Sequence, residues 1–337
     1  MKILFYPEPD GANEYTSNMV NHIETVSGER LCYAPNIKDI VLRPRQTFRY
    51  KKYDVAIINW LENNLRSESK KLYLFGILKF FVYIVYFKIA AKKTVYVRHN
   101  MTPHDMPRRH AKISRKIIDF ALRFFDKKVA HSGHLEGEDY FYIPHPLYDT
   151  RVDATVINDN SEDAYYLVFG RVERYKQIDA ILANWPDNEK LLIAGPASDH
   201  DYVSELLKMA KGRNINFDIR FLPDDDVSTI MSEAKAIILA HDASEMIVSG
   251  SFFHAISYGV PVIASNQSFL NWLKDHKDFS GLALFNSVQE LAEVIRQPNV
   301  PNKNIILSES ACLFGDSAVQ SNLRQLFKEL KADTSRA

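Results

Sequence analysis

Tyr165-Tyr166-Leu167-Val168-Phe169-Gly170-Arg171-Val172-Glu173-Arg174-Tyr175-Lys176 decides the architecture. Its first five residues read as a strand. A glycine at the strand end lets the backbone turn tightly and come close to a ligand. The run from Gln177 to Trp185 reads as a helix, whose first turn offers N–H groups and partial positive charge to a phosphate. Arg171 and Lys176 add a planar cation and a point-like one. On spacing alone, an ordinary strand–loop–helix junction with solvated charges remains an open alternative.

The pattern repeats outward from this stretch. Leu191–Ala194 ends in Gly195-Pro196. Ala236–Ala240 leads into a polar loop, and Ser249-Gly250-Ser251 opens a helix-like run before Gly259-Val260-Pro261-Val262-Ile263-Ala264. Phe217–Phe221 and Gly281–Leu284 read as further strands. The first half alternates in the same way. Its strands are Lys2–Tyr6, Arg30–Tyr33, Asp54–Ile58, Thr94–Arg98, Lys128–His131 and Tyr140–Ile143, with helices at Tyr15–Glu24, Lys71–Ala91 and Ala111–Phe125. Alternation of this kind predicts parallel, doubly wound α/β sheets. The segment from Pro144 to Ala164, with its early prolines and Asn158-Asp159-Asn160-Ser161, reads as a linker. Domains are therefore expected at 1–150 and 151–316, followed by a helix within 317–337.

The 337-residue chain is 46% hydrophobic and 25% charged, proportions of a folded protein long enough for two cores. Two cysteines make no disulfide framework, and no Cys/His metal spacing occurs. Met1–Pro7 is too soon interrupted for a signal peptide and reads as a first strand. The zero net charge hides an asymmetry. Residues 1–150 hold 24 Lys plus Arg against 16 Asp plus Glu, and the rest holds 18 against 26. A basic half can face an anionic surface.

Leu72 to Ala91 is nearly all apolar, broken by Lys79 and Lys88, and is long enough to span a bilayer. The strands before and after it belong to one sheet, which a spanning helix would divide between two sides of a membrane. The adopted reading is a helix packed on the sheet with an aromatic and lysine edge at a lipid surface. A buried crossover helix with snorkelling lysines is the alternative.

From about Tyr165 to Ala264 the order and spacing of these elements resemble the C-terminal half of the two-lobed GT-B glycosyltransferases, particularly those of bacterial exopolysaccharide and O-antigen synthesis. The resemblance implies two Rossmann-like doubly wound parallel-sheet domains facing across a cleft. The final helix would then cross back to the first domain. It implies a nucleotide-sugar donor, UDP favoured, held by Gly170, Arg171, Lys176, Gly195, Glu245, Ser249, Gly250 and Ser251. No further cofactor is expected. The implied acceptor is a lipid-linked saccharide met by the basic first domain, on a protein peripherally attached to the cytoplasmic face of the plasma membrane. One position departs from the pattern. Many retaining members carry two glutamates eight apart; here Glu245 stands near the first and His254 in the place of the second. Inversion, with a first-domain base, is the expectation.

Ligands of open α/β sheets lie beyond the carboxyl ends of the strands. Two first-domain loops qualify. Pro7–Glu14 offers Gly11 for close approach and Asp10 or Glu14 as an acid or base, unless these form a turn and helix cap. Arg98–Asp105 offers His99, Asn100, His104 and Asp105. Base candidates are His99, Asp105, His104 and Asp10; Gly11, Glu14 and Asn100 are placed on the acceptor side. Arg171 and Lys176 would stabilise the departing diphosphate without a metal. Asp224-Asp225-Asp226 contains an Asp-x-Asp pattern but reads as a helix start. Two alternatives remain: a nucleotide-sugar 2-epimerase of the same fold, which would convert donor alone, and a non-catalytic sugar-binding protein. A dinucleotide oxidoreductase is disfavoured, since strand one leads to Pro-Glu-Pro-Asp-Gly rather than Gly-x-Gly-x-x-Gly. No nucleic-acid motif is present.

Overall fold

The computed structural model describes residues 1–11, 13–48, 50–103, 106–148, 164–241, 247–296 and 301–334. These form two compact units. The first gathers Met1–Pro146, residues 247–248 and the chain from Asp316; the second holds the described residues of Leu147–Ser244 and Ser249–Gly315.

The sheet of the first unit has six strands: β1 (Ile3–Tyr6), β2 (Cys32–Tyr33), β3 (Tyr53–Asn59), β4 (Ala91–Arg98), β5 (Lys127–Ala130) and β6 (Phe141–Tyr142). They lie in the order β2-β1-β3-β4-β5-β6, all pairs parallel. Parallel neighbours need crossovers, supplied by helices Glu14–Ser27, Leu74–Ala90 and Arg108–Ala121. The Leu74–Ala90 helix buries Phe80, Tyr83, Ile84 and Phe87 in the core that also takes Ala56, Ile58 and Tyr96 from the sheet. It begins after Leu72 and Tyr73, so it is shorter than the apolar run. Among the described residues no helix is long and apolar enough to cross a membrane. The Asp316–Thr334 helix packs on Glu14–Ser27. It buries Val319, Leu323, Leu326 and Leu330, positions that share one helical face. Lys127 pairs with its Glu329 at 2.9 Å.

The second sheet also has six parallel strands: β7 (Tyr165–Phe169), β8 (Leu191–Ala194), β9 (Ile215–Asp218), β10 (Ala234–Leu239), β11 (Val262–Ser265) and β12 (Leu282–Phe285). Their order is β12-β11-β10-β7-β8-β9, so the winding reverses between β7 and β10. That reversal leaves a crevice at the carboxyl ends of these two strands, where such sheets bind ligands.

Two expectations need correction. The strand read at Phe217–Phe221 lies earlier, at Ile215–Asp218. Arg220 turns out to pair with Asp218 at 2.8 Å and Asp226 at 2.6 Å, and Phe221 is 78% exposed. The helix read at Gln177–Trp185 is only Ile178–Ala183, preceded by a 3-10 turn at Arg174–Lys176 and by Gln177 at φ +52°. The Lys176 ammonium folds back onto the Phe169 carbonyl, 2.7 Å away. That bond draws residues 170–176 into a tight loop under the strand end.

Candidate functional site

In the second unit, Gly170 sits at φ +93°. A Cβ there would come 2.9 Å from Lys176 Nζ and 3.2 Å from Ser251 Oγ. Both side chains donate to the same carbonyl, that of Phe169, at 2.7 and 3.1 Å. Gly195, at φ +139°, packs so closely that a Cβ would run into the Gly170 carbonyl. Gly170 N–H in turn donates to Ala194 O at 2.9 Å. The ends of β7 and β8 and the start of the Gly250–Ser257 helix therefore converge on a small cradle lined by backbone, an ammonium and a hydroxyl. Such a lining suits an anion.

The charges differ from expectation. Arg171 is exposed, but Lys176 is buried. Burial pulls its ammonium down to about 7; the Glu173 carboxylate opposes the shift and the Arg171 charge adds to it. Lys176 is thus not the permanent cation the sequence suggested. An anion placed beside it would favour the charged form. The six-residue helix after it is too short to supply a strong dipole. The eight-residue Gly250–Ser257 helix takes that place, with the first-turn N–H groups that any helix leaves without intrahelical partners. Ser249 does not cap it by its side chain. Its Oγ lies 3.5 Å from His241 Nε2. His254, in the place expected for a second glutamate, stacks on Tyr148 at 3.9 Å. Burial holds His254 near 4; burial, then the Lys176 charge, holds His241 near 3. Both imidazoles are neutral, and the Nδ1 of each is buried without a hydrogen-bond partner among the described residues.

In the first unit, the carboxyl ends of β1, β3, β4 and β5 place Tyr6, Asn59, His99 and His131 in a row. Asn59 Nδ2 donates to Tyr6 O at 3.1 Å. Its Oδ1 therefore accepts from His99 Nε2 at 3.0 Å. The His99 ring is buried and stacked on Trp60 at 3.9 Å. His131 Nδ1 donates to Ile143 O at 2.8 Å, so Nε2 accepts from Tyr15 O–H at 2.7 Å. Burial drives His131 down to about 4. The Tyr15 ring lies 4.8 Å from His99 and from His145. Beneath the loop, buried Arg98 donates to the carbonyls of Asn100 and Met101 and pairs with Asp119 at 2.9 Å. The loop is held from inside by that guanidinium.

The remaining expected residues divide. Asn100 is buried, Asp10 and Gly11 are exposed, and Glu14 opens the Glu14–Ser27 helix. His104, Asp105 and Glu245 lie outside the described residues. Asp224–Asp226 start a helix, with Asp226 paired to Arg220. Tyr15, Asn59, Trp60, His131 and His241 were missed. Position was the available signal: Asn59, His131 and His241 each stand at or just beyond a strand's carboxyl end, as His99 does.

Residues 150–298 match the family model of glycosyl transferases group 1, a stretch that contains the whole cradle. No curated protein matches the chain by sequence search. The Anabaena HepE structure in complex with UDP aligns at TM-score 0.69 and 15% identity, covering 98% of this chain and 100% of HepE. Sucrose-phosphate synthase from Thermosynechococcus elongatus aligns at TM-score 0.70 and 13% identity, covering 98% and 99%. The lipopolysaccharide outer core galactosyltransferase WaaB aligns at TM-score 0.60 and 14% identity, covering 98% and 100%. At these identities the shared property is the fold, two parallel six-stranded sheets of the GT-B type. Residues 150–298 thus resemble group 1 glycosyl transferases, and the chain as a whole shares the GT-B fold.

Proposed function

We propose that this protein moves a hexosyl group from a UDP-sugar to a lipid-linked saccharide during surface polysaccharide synthesis, without a metal. The carrying observation is the convergence of Gly170, Lys176 and Ser251 on one strand-end carbonyl inside the matched stretch. A pyrophosphate seated there would recharge Lys176, meet Arg171 and face the Gly250–Ser257 N-terminus, which together stabilise a departing diphosphate. UDP is favoured because HepE is described in complex with UDP and with UDP-glucose.

In the inverting reading, the acceptor hydroxyl gives its proton to His99 as its oxygen bonds to the anomeric carbon. The bond from that carbon to the diphosphate breaks, and UDP leaves with the electron pair. A second reading has one observation behind it. The Nε2–H of His99 is already committed to Asn59, so the ring is placed to orient a hydroxyl as well as to deprotonate it. Transfer with retention would need no base there. The anomeric coupling constant of the product, read by proton NMR, decides between them.

The lipid-facing part rests on the first unit. Leu74 (82% exposed), Phe75 and Leu78 protrude from one helix beside Lys70 and Lys71, and Ile113, Phe120 and Phe124 from the region of the next. Thermal shift with UDP, GDP, ADP and inorganic phosphate tests the donor. A rise selective for UDP is expected; no rise with any diphosphate overturns the proposal. Incubation with UDP-sugar alone separates transfer from epimerisation, since an epimerase converts donor without acceptor.

A further inference from the structure

Trp60 stacks on His99 from a strained backbone. Its φ is +47°, in the left-handed region that a residue with a Cβ seldom enters. It follows Asn59, the last residue of β3, and precedes the 3-10 turn Leu61–Leu65. The indole lies 3.9 Å from the imidazole, nearly parallel to it, so the stack depends on where this turn is held. Asn64 Nδ2 donates to the Tyr6 hydroxyl of β1 at 3.2 Å. Gly76 of the Leu74–Ala90 helix packs so closely that a Cβ there would run into the Asn64 carbonyl. The tie to β4 is Glu62, whose Oε2 accepts from the Tyr96 hydroxyl at 2.5 Å. Tyr96 and Arg98 are two apart on that strand and share one side of the sheet. Arg98 in turn clamps the carbonyls of Asn100 and Met101. Glu62 thus joins the turn that carries Trp60 to the strand that carries His99.

An acid is a costly choice for that tie. Glu62 is fully buried, and its Oε1 has no hydrogen-bond partner among the described residues. A buried carboxylate with part of its bonding unmet costs stability, and exchange of buried charges for neutral groups of similar shape is often neutral or stabilising. Burial pushes its carboxyl up to about 7, against the Tyr96 hydroxyl, the Glu62 backbone N–H and the Arg98 charge. The other titratable groups acting on this network are Tyr6 of β1, which Tyr83 of the Leu74–Ala90 helix meets, and Asp119 of the Arg108–Ala121 helix, 2.9 Å from Arg98.

We propose that Glu62 is a positioning residue for His99: its carboxyl fixes the Leu61–Leu65 turn on β4, and its charge sets how Trp60 and residues 98–101 hold the imidazole. Its part in transfer rests on the reading of His99 as the group that meets the acceptor. Its hold on Trp60 does not.

Proton–nitrogen NMR of the full chain with isotope-labelled tryptophan tests it. The three tryptophans give three indole N–H signals, and Trp60→Phe assigns the one from Trp60. Across neutral pH that signal should move with a midpoint near 7 in the wild type and stay still in Glu62→Gln. Tyr96→Phe keeps the ring but removes the hydroxyl that favours the carboxylate, so the midpoint should rise. The urea midpoint of Glu62→Gln at pH about 8 should equal or exceed that of the wild type. Its kcat should fall about tenfold or more, with KM for UDP-sugar unchanged. A Trp60 signal that does not titrate, or that titrates equally in Glu62→Gln, overturns the proposal. So does an unchanged kcat in Glu62→Gln. Absence of transfer by the wild type with any UDP-sugar sinks only the proposed function, and the tryptophan signal still decides whether Glu62 holds Trp60.

Discussion

An ammonium buried under a strand end is an expensive group unless something compensates it. Lys176 titrates near 7 in the folded chain against 10.5 for an unperturbed lysine. Between those values the unfolded state holds the extra proton, so the empty second unit should gain stability as pH rises from about 7 toward 10.5. Diphosphate favours the charged form. UDP binding at pH about 8 is therefore expected to take up a proton, measured by calorimetry in buffers of different ionisation enthalpy. Lys176→Met should abolish the uptake and weaken UDP at least about tenfold. Binding with no proton exchange would show an already charged lysine. Gly170→Ala probes the same cradle by shape. Its φ of +93° strains any Cβ, and the methyl would meet Nζ and Oγ. A stability loss of about 1–3 kcal/mol, by urea denaturation, should accompany loss of UDP binding. A fully stable variant that still binds UDP would dismiss the cradle.

Among the elements, the Arg108–Ala121 helix carries an exposed apolar stripe. It buries Ala111, Ser114, Ile118 and Ala121. Ile113 and Phe120 stay exposed, continued by Phe124 in the following turn; at 3.6 residues per turn these three fall on one line. Lys112, Lys116 and Arg123 border that line. An apolar stripe with a cationic flank is how a helix lies on anionic lipid. Wild-type protein should co-sediment with phosphatidylserine-containing vesicles and release partly at high salt. Phe120→Asp with Phe124→Asp should lower the bound fraction roughly tenfold or more, with fold retained by circular dichroism. Equal sedimentation of wild type and variant would remove this helix from any lipid-facing role. In the sequence, Leu72–Ala91 is the segment that points to lipid. Composition marks the more hydrophobic segment, but most of that helix is spent on the core. Its first turns, Val85 and Lys88 stay exposed.

Across the described residues, three desolvated histidines share one liability. His131 in the first unit and His241 and His254 in the second are held near 4, 3 and 4 by burial, against an ordinary 6.5. The unfolded chain takes up these protons first. Their contribution is complete above about 6.5 and is lost as pH falls toward 4 and below. The urea midpoint should drop across that window, and His131→Phe with His254→Phe should flatten the drop. A midpoint indifferent to pH there would contradict neutral burial. Much of the architecture was legible beforehand, because short apolar runs ending in Gly or polar loops report strands directly, and their alternation with helices forces parallel sheets. Tyr165–Phe169 was read to the residue for that reason. Side-chain company was not legible. Nothing local in Lys176 announces that it folds back on Phe169 O, and Tyr15, 116 residues from His131, meets it only once the sheet has formed. Chain order and residue type determined the two-sheet fold and the glycine turns that make a ligand site possible. Tertiary packing alone decided which lysine and which histidines lose their charge, since desolvation depends on everything that closes around a group and not on its neighbours in sequence.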